Sequence, residues 1–375
     1  MANVLNQLHK IVLAGGGTGG HVTPALALAD AFRAQIPACD VLFIGTPQGM
    51  EATLVPKHGW RIETVPGSRL VGGGVTAKLR GVRNLLAGVM AARKILRREK
   101  PSLVIGVGGY ASGAALLAAR LLGIPTAVHE SNAVPGMTNR VLGMLVDRVY
   151  LGFAAARGDF PGDAAVVSGN PVRPEIRKVG GQRQQAYGFG PGERLPRVLV
   201  VGGSQGSEFL NEHVPGLLAA LSELGVKVEV RHQVGKLDGT PVVARYVDNG
   251  LSHSVATFID DMASAYAWAD FAITRSGSGT VSELAAAALP ALLVPFPFAA
   301  GDHQAANAKA FADAGAGMWV RQGDWNEMHL AQSLKELLTG PGKWQAASRA
   351  ARQMAGRDAA LAVVEDCQEW LGARG

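Results

Sequence analysis

The feature that most constrains this chain is a pattern that occurs twice, a short apolar run that ends in a cluster of glycines. Ile11-Val12-Leu13-Ala14 runs into Gly15-Gly16-Gly17-Thr18-Gly19-Gly20, and Val198-Leu199-Val200-Val201 runs into Gly202-Gly203-Ser204-Gln205-Gly206. A buried strand feeding a glycine turn and then a helix is the opening unit of a parallel βαβ sheet. One such opening in each half, in a chain of 375 residues, predicts two Rossmann-like domains in tandem, because a single core rarely grows that large. The alternation continues between them. Strands are expected at residues 10–14, 41–44, 103–107, 126–129, 148–151 and 165–168, then at 197–201, 227–231, 254–258, 271–274, 291–294 and 317–320. Helices fall between, as at 23–33, 112–122, 211–224 and 281–288. The boundary is expected around Asn170-Pro171-Val172-Arg173-Pro174, giving domains 1–172 and 173–354, with a Gly/Gln/Pro-rich passage over 180–196. One or two helices over 343–370 follow, and the last of them, about 355–375, is expected to pack back on the first domain.

Forty-nine glycines are roughly twice the usual share of about 7%, an excess that suits tight turns and close backbone approach to a ligand. The two cysteines, Cys39 and Cys367, lie at opposite ends, so neither a disulfide framework nor a Cys-based metal site is implied, and a reducing compartment fits. The first ten residues carry no apolar signal-peptide core. The longest nearly apolar run, 284–301, is broken by Pro290, Pro295 and Pro297, and is expected to be a helix end, a turn and a buried strand rather than a bilayer span.

Charge is unevenly spread. Residues 69–100 hold nine basic side chains (Arg69, Lys78, Arg80, Arg83, Arg93, Lys94, Arg97, Arg98, Lys100) against the single acid Glu99, a local +8 in a chain of net +6. Leu70, Val71, Val75, Leu79, Val82, Leu85, Leu86, Val89 and Met90 are interleaved with them. A basic amphipathic stretch reads as a membrane-surface or nucleic-acid footprint, or as a helix packed on a sheet with its charges in water.

Gly15, Gly17 and Gly20 satisfy G-x-G-x-x-G between a strand and a helix, where backbone N–H groups and a helix N-terminus favour an anion. A dinucleotide dehydrogenase would also need an acid at the end of the second strand to hold ribose. Here that strand runs into Gly45-Thr46-Pro47, which weakens the dinucleotide reading. His21 follows the turn at once; the helix field there disfavours imidazolium, so the ring suits a proton acceptor, or simply fills space beside the turn. In the second half, Arg275-Ser276-Gly277-Ser278-Gly279-Thr280 leads into Val281-Ser282-Glu283, a further cluster of small and hydroxyl residues at a helix start. Glu283 is placed to accept from ribose hydroxyls or to serve as a first-turn acid. No D-x-D pair occurs in the chain, and Asp260-Asp261 is expected to cap a helix over 262–268. Diphosphate charge would then be balanced by helix N-termini and arginine, without a metal.

Taken in order, Gly16 to His21, Gly108-Gly109-Tyr110-Ala111-Ser112-Gly113, His129-Glu130-Ser131-Asn132, Gly169-Asn170-Pro171-Val172-Arg173, Gly202 to Gly206, Phe258-Ile259-Asp260-Asp261-Met262 and Arg275 to Glu283 resemble the MurG family, the peptidoglycan N-acetylglucosaminyltransferases that convert lipid I to lipid II. The resemblance spans essentially the whole chain. It implies an α/β GT-B fold, two Rossmann-like domains with parallel sheets facing an interdomain cleft, and inverting transfer without cofactor or essential metal. It also implies that UDP-N-acetylglucosamine (UDP-GlcNAc) meets Arg173, Ser204, Ile259, Ser278, Gly279, Thr280, Val281, Ser282, Glu283 and Gln304, with Thr18, Gly19, Gly20 and Asn132 reaching from the first domain. Glu283 would hold the ribose and the backbone at Ile259 the uracil edge. The acceptor, an undecaprenyl-diphosphate-linked muramyl pentapeptide, would lie at Gly17, Thr18, His21, Tyr110 and Glu130. His21 would be the catalytic base, with Glu130 as the second catalytic candidate. The basic stretch 69–100 would meet an anionic membrane at the cytoplasmic face of a bacterial inner membrane, with cell-wall and division proteins as neighbours and no nucleic acid. A UDP-GlcNAc 2-epimerase, a transferase with a soluble acceptor, and a non-catalytic nucleotide-sugar sensor are the rival readings.

Overall fold

The structure is a computed structural model and describes residues 8–17, 19–67, 75–160, 162–183, 194–203 and 205–373, with the backbone alone at 19 and 75–80. Thr18, Ser204, Arg69, Leu70 and Val71 lie outside the described residues, as do the side chains of Val75, Lys78, Leu79 and Arg80. The chain divides into two compact units, Met1–Arg173 with Arg357–Gly375, and Pro174–Gly356.

The first unit holds a seven-stranded sheet of β1 (Lys10–Ala14), β2 (Asp40–Gly45), β3 (Arg61–Thr64), β4 (Leu103–Gly106), β5 (Thr126–Glu130), β6 (Arg148–Leu151) and β7 (Ala165–Val167), in the order β3-β2-β1-β4-β5-β6-β7. Every pairing is parallel. Such strands are buried on both faces, and their alternate residues serve two cores. Ile11, Leu13, Val41 and Phe43 join one cluster, while Val12, Ala14, Leu42 and Ile44 join the other. The order reverses at β1, between β2 and β4, and the glycine turn after β1 lies at that switch point. In open α/β sheets ligands bind beyond the strand C-termini at this position.

The second unit repeats the plan with β8 (Arg197–Val201), β9 (Glu229–Gln233), β10 (Ser252–Ala256), β11 (Phe271–Thr274), β12 (Ala291–Leu293) and β13 (Gly317–Trp319), in the order β10-β9-β8-β11-β12-β13. These pairings too are parallel.

Three expectations need correction. The strands expected at 227–231 and 254–258 lie two residues later and earlier, as β9 and β10. Strand β3 was not expected: it is a half-exposed edge strand, Arg-Ile-Glu-Thr, whose only bulky apolar residue is Ile62. The passage from 180 begins as helix, because Pro174–Arg183 is helical and Arg183 donates to the carbonyls of Ala287, Ala269 and Tyr266. The run 284–301 resolves into the end of helix Ser278–Ala286, strand β12 and the 3-10 turn Ala300–Asp302.

The last two helices are Lys343–Ala355 and Ala359–Gly372. The second completes the first unit's core: Val363, Val364, Cys367, Trp370 and Leu371 pack in one cluster with Leu8, Ile11 and Phe32. Tyr150 Oη in β6 donates to Asp366 Oδ2 at 2.8 Å and lies 3.1 Å from Cys367 Sγ.

Candidate active site

In the first unit, two glycine turns meet backbone to backbone at the switch point. Gly16 N–H donates to Gly108 O at 3.1 Å, and a Cβ at Gly109 would lie 2.5 Å from Gly16 O. Gly15, Gly16 and Gly17 hold φ of 149°, 145° and 92°, a run that side-chain-bearing residues rarely adopt. His21 is the third residue of helix Gly19–Gln35, and its ring turns back onto these loops. Its Nδ1 lies 3.1 Å from Gly16 O. A carbonyl oxygen only accepts, so Nδ1 carries the hydrogen, and in the neutral ring Nε2 keeps its lone pair. Only glycine at position 108 leaves room, since a Cβ there would sit 2.9 Å from His21 Nε2.

The carboxylate of Glu51, on the short helix Glu51–Lys57 after β2, lies under the first turn. It is buried, and it accepts from Gly17 N–H at 2.7 Å through Oε2 and from Thr46 N–H at 2.8 Å and Thr46 Oγ at 2.9 Å through Oε1. Gly17 was expected to offer its N–H to an anion. That N–H is instead turned inward to Glu51, which leaves the first-turn amides of helix Gly19–Gln35 as the backbone donors of this turn without a partner in their own helix. The acid missing from the end of β2 is therefore present in space. It folds back from six residues beyond Gly45, where its oxygens accept from Gly17 and Thr46.

Glu130 ends β5 and is buried. Its Oε1 accepts from Asn132 N–H (2.8 Å) and Asn132 Nδ2 (3.1 Å), its Oε2 from Gly136 N–H (3.1 Å) and Asn139 Nδ2 (2.9 Å). Four donors on one carboxylate make Glu130 the organiser of the loop that carries Asn132. Asn170 Nδ2 donates to Ser131 O at 2.9 Å and ties the 169–173 segment to the same loop. Tyr110 opens helix Tyr110–Leu121, and its ring fills the space beside Gly67, where a Cβ would lie 2.3 Å away. Burial raises the pKa of its hydroxyl. Arg173 is half-buried at the end of the first unit.

In the second unit the helix Ser278–Ala286 starts at Gly277 without a side-chain cap, which leaves its first-turn N–H groups to a ligand or water. Of the run 278–283, Val281 is wholly buried and its N–H is taken by Gly277 O, so it supports the turn by packing. Glu283 is half-buried, and its Oε2 accepts from Tyr266 Oη at 3.1 Å. Gln304 Oε1 accepts from Phe296 N–H at 3.0 Å and its main-chain carbonyl from Ser276 Oγ at 2.9 Å, which fixes the side chain at the start of helix His303–Asp313. The N–H of Ile259 is engaged by Gln233 Oε1 at 3.0 Å, while Gln233 Nε2 donates to Gly203 O at 3.0 Å. In this arrangement Gln233 bridges the backbone at Ile259 to the second glycine turn. Asp261 caps Met262–Trp268 as expected, accepting from Ser264 N–H at 3.0 Å.

Glu51, Gln233 and Arg275 are site-building residues that motif reading left out of the site. Arg275 Nη1 donates to Val294 O, Pro295 O and Gln322 Oε1, and burial brings its pKa down to about 10. A guanidinium held beside an uncapped helix start is a signal the sequence carried; Glu51 and Gln233 had none, because Glu51 reaches back from Thr46 to the distant N–H of Gly17, and both partners of Gln233 are backbone groups far away in the chain.

Comparison with known proteins agrees with this geometry. Residues 11–151 match the glycosyltransferase family 28 N-terminal domain and residues 197–363 the family's C-terminal domain. A UDP-N-acetylglucosamine–N-acetylmuramyl-(pentapeptide) pyrophosphoryl-undecaprenol N-acetylglucosamine transferase of Magnetococcus marinus is 41% identical over 96% of each chain. The transferase of the same name from Geobacter sulfurreducens is 38% identical over 95% of this chain and 97% of its own. The crystal structure of Acinetobacter baumannii MurG superposes with a TM-score of 0.78 at 34% identity, covering 96% of this chain and 99% of that one. Two parallel-sheet units of the GT-B class, matched from end to end at these identities, make the chain a member of glycosyltransferase family 28.

Proposed function

We propose that this enzyme transfers N-acetylglucosamine from UDP-GlcNAc to the undecaprenyl-diphosphate-linked N-acetylmuramyl pentapeptide, lipid I, and so forms lipid II. The observation that carries the reading is the match, along 95–96% of the chain, to transferases named for that activity. The site chemistry supports it. A muramyl hydroxyl oxygen bonds to the anomeric carbon on the face opposite UDP, and the carbon–oxygen bond to the diphosphate breaks with its electron pair on UDP. The hydroxyl proton passes to His21 Nε2, and configuration inverts. Helix Ser278–Ala286 offers its N-terminus to the departing diphosphate, Glu283 accepts from the ribose, and Gln304 contributes its amide hydrogens. Gly19 and Gly20 open the acceptor side at helix Gly19–Gln35, beside Tyr110 and the loop that Glu130 holds around Asn132.

The helix Val75–Glu99 favours action at a membrane surface. Val82, Leu86 and Met90, one turn apart, are 57%, 60% and 73% exposed, while Ala92, Ile95 and Leu96 face the core. Arg83, Arg93, Lys94 and Arg97 are exposed on the same helix. An apolar stripe edged by basic side chains fits the headgroup layer of an anionic leaflet, such as the cytoplasmic face of a bacterial inner membrane. No helix among the described residues is long and apolar enough to cross a bilayer.

The test is incubation of the enzyme with radiolabelled UDP-GlcNAc and a short-chain lipid I analogue. Label in the lipid product is expected. Release of UDP and free sugar, with no label in lipid, would point to an epimerase-type reaction and overturn the assignment.

A further inference from the structure

We infer that Glu51 is a positioning residue for His21 and acts through the peptide bond between Gly16 and Gly17. The inference rests on the reading of His21 as the base. The carbonyl of Gly16 and the N–H of Gly17 belong to one planar amide. Glu51 Oε2 accepts from that N–H at 2.7 Å, and His21 Nδ1 donates to that carbonyl oxygen at 3.1 Å. The two side chains thus grip opposite ends of one amide. A carboxylate on the N–H polarises the amide and strengthens its oxygen as an acceptor, because hydrogen bonds in a chain reinforce one another at low dielectric. The strengthened carbonyl holds the hydrogen on Nδ1 and leaves Nε2 free to take a proton. The arrangement is a carboxylate–histidine pair with a peptide group inserted between its members.

Surrounding residues are shaped to this relay. Thr46 anchors Oε1 through N–H and Oγ, which fixes the plane of the carboxylate and aims Oε2 at Gly17. Three glycines, one from the first turn and two from the loop before Glu51, make room for it: a Cβ would lie 2.1 Å from Glu51 Cδ at Gly16, 2.4 Å from Cγ at Gly45 and 2.1 Å from Oε2 at Gly49. Glycine at 109 clears the Gly16 oxygen, and glycine at 108 clears the imidazole. No cation pairs with Glu51 among the described residues, so its buried charge is compensated by the donors of the loops it supports. A buried carboxylate is costly unless its hydrogen bonds are complete, and here they are made to the turn that carries the base.

The experiment combines NMR and kinetics. In enzyme labelled with ¹⁵N-histidine, the His21 ring, assigned by its loss in His21→Ala, is expected in the Nδ1–H form; a dominant Nε2–H form overturns the relay without any further variant. Glu51→Gln is expected to lower kcat about 10- to 100-fold, the usual effect of losing a group that orients a functional histidine. The UDP-GlcNAc KM should stay within about twofold and the His21 tautomers should become mixed. A loss confined to acceptor KM, with the tautomer unchanged, would mean that Glu51 only shapes the turn. Added to His21→Ala, Glu51→Gln should cost nothing more, since residues acting as a unit are not additive. The same fold-loss in both backgrounds refutes the coupling. Should His21→Ala keep at least about a third of wild-type kcat, the base assignment fails, and the tautomer in wild type and Glu51→Gln still decides whether the relay exists.

Discussion

Glu283 offers the sharpest test of how the second unit reads its nucleotide. The carboxylate is half-buried on helix Ser278–Ala286 and is held by Tyr266 Oη at 3.1 Å, while Tyr266 itself is only 2% exposed. Glu283→Ala removes the acceptor proposed for the ribose hydroxyls. A hydrogen bond to a charged group contributes about 1.5–3 kcal/mol, so the KM for UDP-GlcNAc should rise roughly 10- to 150-fold. Tyr266→Phe leaves the carboxylate in place but removes a hydrogen bond that orients it. That bond reaches the ribose only through the carboxylate, so the same KM should rise by less than in Glu283→Ala, roughly 2- to 13-fold for about 0.5–1.5 kcal/mol. In the double variant the tyrosine effect should vanish, because nothing is left for it to orient. Initial rates with each substrate varied, together with calorimetric titration of UDP, separate donor from acceptor effects. Equal changes in both KM values, or a tyrosine effect that persists in the Glu283→Ala background, would refute the ribose role.

Turnover should persist in excess EDTA, because the chain lacks a D-x-D pair and meets diphosphate with helix N-termini; loss of activity on chelation that Mg²⁺ restores would contradict this. Charge reversal at Arg83 and Arg97 with Leu86→Ser should weaken binding to anionic vesicles by about 1 kcal/mol per charge while sparing a water-soluble acceptor, read by co-sedimentation at low salt. His232 is buried between Tyr246 Oη (2.9 Å) and Asn211 Oδ1 (3.0 Å), and burial pushes its pKa down to about 3. The unfolded chain takes up that proton near 6.5, so stability is full above that pH. It should fall by about 1.4 kcal/mol per unit as pH drops from 6.5 toward 3, and His232→Gln should flatten urea midpoints measured across this range. Tyr150→Phe, which removes the hydroxyl bonded to Asp366, should destabilise the first unit by about 1–3 kcal/mol in urea unfolding.

Much of the fold could be read in advance because parallel strands buried on both faces are written as continuous apolar runs. The apolar runs Val198 to Val201 and Phe271 to Thr274 are of this kind, and the strands expected there, 197–201 and 271–274, coincide with those found. The edge strands β3 and β10, and β9 beside β10, lack that mark. The residues of β10, Ser-His-Ser-Val-Ala, of β9, Glu-Val-Arg-His-Gln, and of β3, Arg-Ile-Glu-Thr, are mostly polar, so the first two were displaced and the third missed. The site divides in a similar way. His21 and the helix start at Ser278 are visible because their neighbours in the chain are glycines and hydroxyls that share the same task. Glu51 is invisible for the opposite reason: its glycines stand at 16, 45 and 49, and its partners are a backbone N–H across the sheet and the Thr46 of its own loop. What a side chain does to distant backbone leaves no local periodicity.

The closing helix Ala359–Gly372 has a consequence for how the protein is made. The ribosome delivers residues 1–173 first, yet the flank of the sheet around Ile11 and Phe32 stays open until Val363, Cys367 and Trp370 arrive. By then the whole of Pro174–Gly356 has emerged, and its strands pair only among themselves. The second unit is therefore an insertion that can fold while its host waits, with apolar surface exposed for the time of some 180 additions at about 5–20 residues per second. A chain cut after residue 173 keeps that open flank permanently and should bind holdase chaperones. Joining residues 1–173 directly to 357–375 gives a chain in which the first core is whole without the second unit.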